Sequence, residues 1–354
     1  PYKYGPELEA VFPSDVVTLT NEGTADADPI FELEVKEPVT MAMIQNQDNE
    51  YIMIGQPVDL ENQIPVEREE RIFWDELGSL VGWTTGTNAE GAIAGEVETT
   101  GYAFQPKTFG TGSHWHGPAI KTSLPEVLTD FTVEAVVEFF NGTPNNVGLL
   151  EIQLLDEYGN IIAKTGLRDT SPTTTDTLNV SRIGDLDVNY YLYNGHGMYP
   201  WTWSNFYGLL RIGRHGKQWF TYVAQINQST GEHHSRLYRT WNDAAGQFSH
   251  LSLAQIQIYF AQMRDYIPAS MRVHDLKVYK WNPITEREIP YIAHPGDIIT
   301  FDHKNADILI NGESRADLKQ LGASFFKLKK GVNQLVVSPD DSFNVKCRYR
   351  PTYL

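Results

Sequence analysis

The sequence predicts an all-β protein, and three observations carry that expectation. Its periodic segments alternate with period two, turn residues fall between those segments, and a single stretch has helical spacing. In chain order, PIFELEV (29–35) sets Phe31, Leu33 and Val35 against Glu32 and Glu34. VEREERIFWDELGSLVG (66–82) is the helical exception, with Ile72, Phe73, Leu77 and Leu80 behind an acidic first turn and Gly82 placed to close it. DFTVEAVVEFF (130–140) puts Phe131, Val133, Ala135, Val137 and Phe139 on one face, opposite Thr132, Glu134 and Glu138. LSLAQIQIYF (251–260) alternates Ile256, Ile258 and Phe260 against Gln255, Gln257 and Tyr259. Such half-buried alternation belongs to antiparallel sheets. DEYGN (156–160), GRHGK (213–217) and NQSTGE (227–232) carry the signals of tight hairpins. FNVKCRYR (343–350) sends Val345, Cys347 and Tyr349 to one face, which makes the single cysteine a buried core thiol.

The 354 residues suffice for two domains, and 41% hydrophobic and 12% aromatic content supplies their cores. A formal net charge of -17 repels phosphate backbones and anionic membranes, so neither nucleic acid nor membrane is an expected partner. No apolar run approaches the roughly 20 residues that span a bilayer, and no signal peptide is visible. One cysteine excludes an internal disulfide.

IPVEREERI (64–72) and NPITEREIPYI (282–292) read as boundaries around a central stretch rich in Trp, Tyr, Thr, Asn and Gly. Neither flank has enough strands to bury a sheet face alone. Together, about 1–70 and 290–354, they form one small sandwich, with 83–281 inserted into a loop. The insert's many strands and polar hairpins suit a two-sheet jelly roll of the concanavalin or laminin-G type.

PGDIITFDHKNADILINGES and LGASFFKLKKGVNQLVVSPDDSFNVKCRYRPTYL resemble the C-terminal part of siphophage distal tail proteins. The matching positions are Gly296, Asp297, Asn311, Gly312, Phe325, Phe326, Leu328, Gly331 and Asn333. LTNEGTADADPIFELEV (19–35) and YIMIG (51–55) look like the start of the same galectin-like sandwich. The resemblance implies an evolved form with an inserted carbohydrate-binding module, located at the distal end of the tail in the virion. Other tail proteins are then expected partners, and the full-length family forms a homo-oligomeric, hexameric ring. The family's belt domain, which closes that ring, has no counterpart in this sequence. The chain opens on Pro1 and reads as a C-terminal piece or as one that does not close the ring alone.

A sugar site needs exposed aromatic platforms beside side chains that hydrogen-bond hydroxyls. Two segments offer that mixture. GTGSHWHGPAIKT (110–122) presents Trp115 and His116 next to His114, although HGPAIKT also reads as the insert's first strand. NYYLYNGHGMYPWTWSNFYG (189–208) reads as a long loop, with Tyr199, Trp201, Trp203 and Asn205 as the expected binding residues. The alternative for both is an aromatic lid folded back on the core. Metal is an open question. His114 and His116 would share a strand face, and Asp169, Asp176, Asp185 and Asp187 lie in acidic loops suited to calcium.

No cofactor and no reaction are expected. EIQLLDEYG (151–159) lacks the paired-carboxylate spacing of concanavalin-like hydrolases. Glu134 and Glu138 share a face but stand roughly 13 Å apart along the strand. The expected role is non-catalytic binding of host cell-wall polysaccharide. The alternatives are a purely structural or protein-binding tail domain, and a cell-wall glycoside hydrolase.

Overall fold

The computed structural model describes residues 3–12, 15–58 and 63–354. Pro1 and residues 59–62, inside the first expected domain, lie outside them. The described residues are strands and turns apart from one three-residue 3-10 turn, Ala316–Leu318.

The chain divides into two compact units. One takes the described residues of Pro1–Arg68, with Gln228–Glu232 and Pro283–Leu354. Its six-stranded sheet runs in the order Leu8–Phe12, Phe343–Tyr349, Ile30–Val35, Ile298–Asp302, Asp307–Ile310, Glu313–Ser314. Its four-stranded sheet runs Val16–Asn21, Gly331–Ser338, Met41–Asn46, Tyr51–Gly55. Alternation decides the buried side. Phe31, Leu33 and Val35 join Ile299, Phe301, Val345 and Cys347 in one core. Burial pushes the Cys347 thiol well above its ordinary range. Asn311 and Gly312, at φ 51° and 82°, make the tight turn before Glu313–Ser314, a pairing suited to hairpins that need two left-handed residues.

The other unit takes Glu69–Asn227 and His233–Asn282 and is a jelly-roll sandwich. Its nine-stranded sheet contains, in order, Trp115–Gly117, Leu253–Met263, Gly148–Leu155, Ile161–Asp169, Leu178–Gly184 and Asn189–Gly195. The eight-stranded sheet contains, in order, Phe104–Thr108, Ser270–Trp281, Phe131–Phe140, Phe206–His215, Gln218–Ile226 and His233–Asn242. Phe131, Val133, Ala135, Val137 and Phe139 face inward and meet Leu150, Ile152, Leu154, Ile256, Ile258 and Phe260. Each buried Phe contributes roughly 2–3 kcal/mol of apolar transfer.

The helix expected over 66–82 is not formed. Glu69–Asp75 is a strand that pairs antiparallel with Ser270–Trp281, setting Phe73 opposite Val278 and Asp75 opposite Leu276. Leu77 is buried at φ 57°, a left-handed conformation no helix interior accommodates. Asp75 holds that turn, its Oδ1 accepting from Leu77 N at 2.7 Å and its Oδ2 from Trp83 Nε1 at 2.8 Å. A short amphipathic stretch is a marginal helix alone, and sheet pairing overrides it.

Candidate functional site

Strand register brings five connections to one end of the jelly roll. Gly148 pairs with Asp169, Phe139 with Phe206, Phe140 with Ser270 and Trp115 with Met263. The segments 110–114, 141–147, 170–177, 196–205 and 264–269 therefore share that end.

The connection 196–205 is the most sharply built of them. Trp201 sits at φ 66° and Asn205 at φ 51°. A left-handed backbone is uncommon for any non-glycine residue and strained for a bulky one, so it persists only where surroundings hold it. Here side-chain acceptors do so. Trp201 N donates to Asp176 Oδ1 at 2.8 Å, and Asn205 N donates to Asn141 Oδ1 at 3.1 Å. The His196 Nδ1 atom lies 2.6 Å from Asp176 Oδ2. Ser204 Oγ donates to the Thr175 carbonyl. Asn141 in turn donates to Asp169 Oδ2 at 2.6 Å. Burial raises the Asp169 carboxyl above its ordinary range, although Asn141 and the Ser171 amide pull the other way.

Trp203 corrects the sequence reading. It is 0% exposed, donates Nε1 to the Ser235 carbonyl at 3.0 Å and meets Tyr193 edge-on at 5.7 Å. It anchors the loop and cannot offer a platform to a ligand. Tyr199 and Trp201 remain 69% and 58% exposed, and Asn205 is exposed beside them. Periodicity could not separate Trp201 from Trp203, because a loop has none.

His116 is a second correction. It is buried, its Nδ1–H donating to the His114 carbonyl at 2.9 Å, so it faces neither sugar nor metal. Trp115 is half-buried and packs with Ala119, Leu149, Tyr259 and Ala261. Its strand stands five strand positions from Asn189–Gly195, about 24 Å. The two expected clusters share one end of the sandwich but not one site.

Among the described residues no group of three or more His, Cys, Asp or Glu side chains gathers to hold a metal. The acidic loops use their carboxylates on their own backbones: Asp169 accepts from Ser171 N, and Asp185 from Asp187 N and Val188 N.

The outer face of the nine-stranded sheet is covered by residues 86–93, a feature sequence reasoning missed. Gln257 accepts from Thr87 N at 3.2 Å and donates to the Asn88 carbonyl at 2.6 Å. Tyr259 donates to the Ala92 carbonyl at 3.3 Å. A Cβ on Gly91 would stand 2.3 Å from the Tyr259 hydroxyl, so only glycine permits this approach. Glu90 is gripped by both terminal nitrogens of Arg182 and, at 2.6 Å, by Lys164 Nζ. Lys164 also donates to Glu151 at 2.5 Å. This cover explains why Gly148–Leu155 is buried on both faces.

Glu90 and Glu151 are two carboxylates that share Lys164. Burial works to raise the Glu90 carboxyl, but Arg182 and Lys164 outweigh it and hold it below the carboxylate range. A glycosidase acid needs the opposite shift. Glu134 and Glu138 are likewise engaged, by Arg211 at 2.5 Å and Arg272 at 3.1 Å.

Residues 277–353 match the family described as siphovirus-type tail component, C-terminal domain. Among solved structures, the CBM2 module of the evolved Dit of Lactobacillus casei BL23 phage J-1 aligns with a TM-score of 0.52 at 17% identity, covering 62% of this chain and 100% of that one. A family GH16 protein of the Bacteroides ovatus mixed-linkage glucan locus aligns at 0.36 and 8% identity, covering 58% and 99%. The endo-β-1,3-glucanase of Pyrococcus furiosus aligns at 0.38 and 12%, covering 64% and 100%. The J-1 module establishes a shared fold, and the two glucanase-type alignments carry no argument about activity. A search of curated proteins gave no match. Residues 277–353 thus carry a siphovirus-type tail component C-terminal domain, and the jelly roll shares the fold of the J-1 evolved-Dit module.

Proposed function

We propose that this tail component carries its jelly roll at the distal end of the virion's tail, where the module binds host cell-wall polysaccharide before irreversible attachment. The observation that supports this most directly is Trp201, exposed on a backbone locked by Asp176, with Tyr199 beside it. Aromatic rings cover the apolar faces of sugars, and Asn205 and His196 supply polar partners at the rim. A pre-set loop loses little conformational freedom on binding, which favours a weak polar ligand. The reading is non-catalytic. Single-site affinity is in the high-micromolar to millimolar range, and several copies, six in a hexameric ring, raise avidity by roughly 10² to 10⁴.

Titration calorimetry with purified host-wall polysaccharide fragments tests this, with reducing ends counted in parallel. Saturable binding that weakens about tenfold or more in Trp201→Ala, without new reducing ends, is the expected result. Unchanged binding in a Tyr199→Ala/Trp201→Ala double variant overturns the assignment of the loop. Steady release of reducing ends overturns the non-catalytic reading.

A further inference from the structure

A cleft of about 690 Å³ lies elsewhere on the jelly roll, lined in part by Trp74, Asp75, Glu76, Tyr102, His274 and Asp275. It sits at one edge of the eight-stranded sheet. There Glu69–Asp75 and Phe104–Thr108 both pair with Ser270–Trp281, and the turn around Gly101 walls one side. Its lining strand Ser270–Trp281 is two strand positions from Phe206–His215, and its His274 meets Tyr207 edge-on at 5.6 Å, but no residue of 196–205 lines it.

Its volume falls within the range of small-ligand clefts. Two aromatic side chains stand in its wall: Trp74 is 48% exposed and Tyr102 83% exposed. The indole is fixed, not swinging. Trp74 Nε1 donates to Asp275 Oδ2 at 2.8 Å, the Arg71 guanidinium stacks 4.6 Å from the ring centroid, and Lys277 Nζ lies 5.7 Å from it. Two of the carboxylates, Asp75 and Asp275, are fixed as well. Asp75 is held by Leu77 N and Trp83 Nε1, one hydrogen bond to each oxygen, and each oxygen keeps a lone pair for a further donor. Glu76 is exposed in the same wall.

Aromatic rings beside fixed acceptors match the apolar face and hydroxyl rim of a sugar. Asp275 is paired with Lys277 at 3.1 Å, but Asp75 and Glu76 have no cationic partner at the wall among the described residues. On a chain of net charge -17 they repel uronic acids and phosphate-bearing polymers. We propose that this cleft is a second glycan subsite, selective for neutral saccharides. It uses no residue of the 196–205 loop and stands or falls separately from it. Two subsites on one module bind one polymer at two points, which raises avidity without either being strong.

The test labels the full chain with 5-fluorotryptophan and follows its eight tryptophans by fluorine NMR, with resonances assigned through Trp→Phe variants. The probes are neutral tetrasaccharides built from glucose, galactose, mannose and N-acetylglucosamine, with tetragalacturonate as the anionic control. The expected result is a saturable shift of the Trp74 resonance with at least one neutral probe, retained in Trp201→Ala and absent with tetragalacturonate. Tyr102→Ala and Glu76→Gln, both at exposed positions that leave the fold intact, weaken that shift, Tyr102→Ala by about tenfold. A Trp74 resonance that no neutral probe moves, or that tetragalacturonate moves equally, overturns the proposal. Movement of Trp201 alone supports the loop site and removes this one. Movement of Trp74 alone does the reverse.

Discussion

The loop 196–205 and the segment 86–93 both lie on the jelly roll, and they use polar side chains in opposite ways. In the loop, Asp176 and Asn141 spend their oxygens on backbone amides, which leaves Trp201 and Tyr199 facing solvent. At 86–93, the carboxylate of Glu90 is saturated by Arg182 and Lys164, and the sheet face beneath it is shut. Polar groups that hold backbone in place leave the rings beside them open to solvent. Polar groups that neutralise one another close it.

The contrast breaks most visibly at Glu90. Glu90→Ala leaves Arg182 buried without its carboxylate, and a loss of about 3–5 kcal/mol is expected, read as a large fall in Tm of the jelly roll. The sign with pH follows from the lowered carboxyl. Its contribution is complete above the ordinary value of 4.5 and is lost as pH falls below that through the folded-state value, so acid unfolding should shift upward in pH when Glu90 is removed. A comparable loss is expected from Trp203→Ala, about 3–5 kcal/mol, because the indole fills the core.

His303, in the tail unit, gives a separate pH signature. Burial lowers its pKa to about 4, below the ordinary 6.5, so the unfolded chain binds more protons between these values. Stability of that unit should fall by about 3 kcal/mol as pH drops from 6.5 to 4, and His303→Phe should flatten the slope of unfolding free energy with pH. Smaller again is Asp176→Ala, which frees the Trp201 amide and should cost about 1–2 kcal/mol while weakening glycan binding. Trp201→Ala should change Tm least, within about 0.5 kcal/mol, because its ring is exposed. If Trp201→Ala destabilised as much as Trp203→Ala, the loop would be a core lid and the contrast would dissolve.

The strands were legible because period-two burial is local: Phe131 to Phe139 needs no distant residue to declare its face. The hairpin at 156–160 was legible for the same reason. The helix expected over 66–82 failed because Glu69–Asp75 takes its conformation from Ser270–Trp281, far along the chain. Within the site, the aromatic richness of 189–208 was visible, but not which rings turn outward. That depends on Asn141, 64 residues from Asn205, and on Ser235, 32 residues from Trp203. The covering segment left no local mark at all, since Glu90 finds Lys164 and Arg182 at separations of 74 and 92 residues.

The most direct test is labelling of whole host cells by fluorescently tagged protein, comparing the native chain with Tyr199→Ala/Trp201→Ala and checking retained fold by circular dichroism. Labelling by the native chain that disappears in the folded double variant is the predicted result. Equal labelling by both would contradict the assignment of glycan recognition to the 196–205 loop.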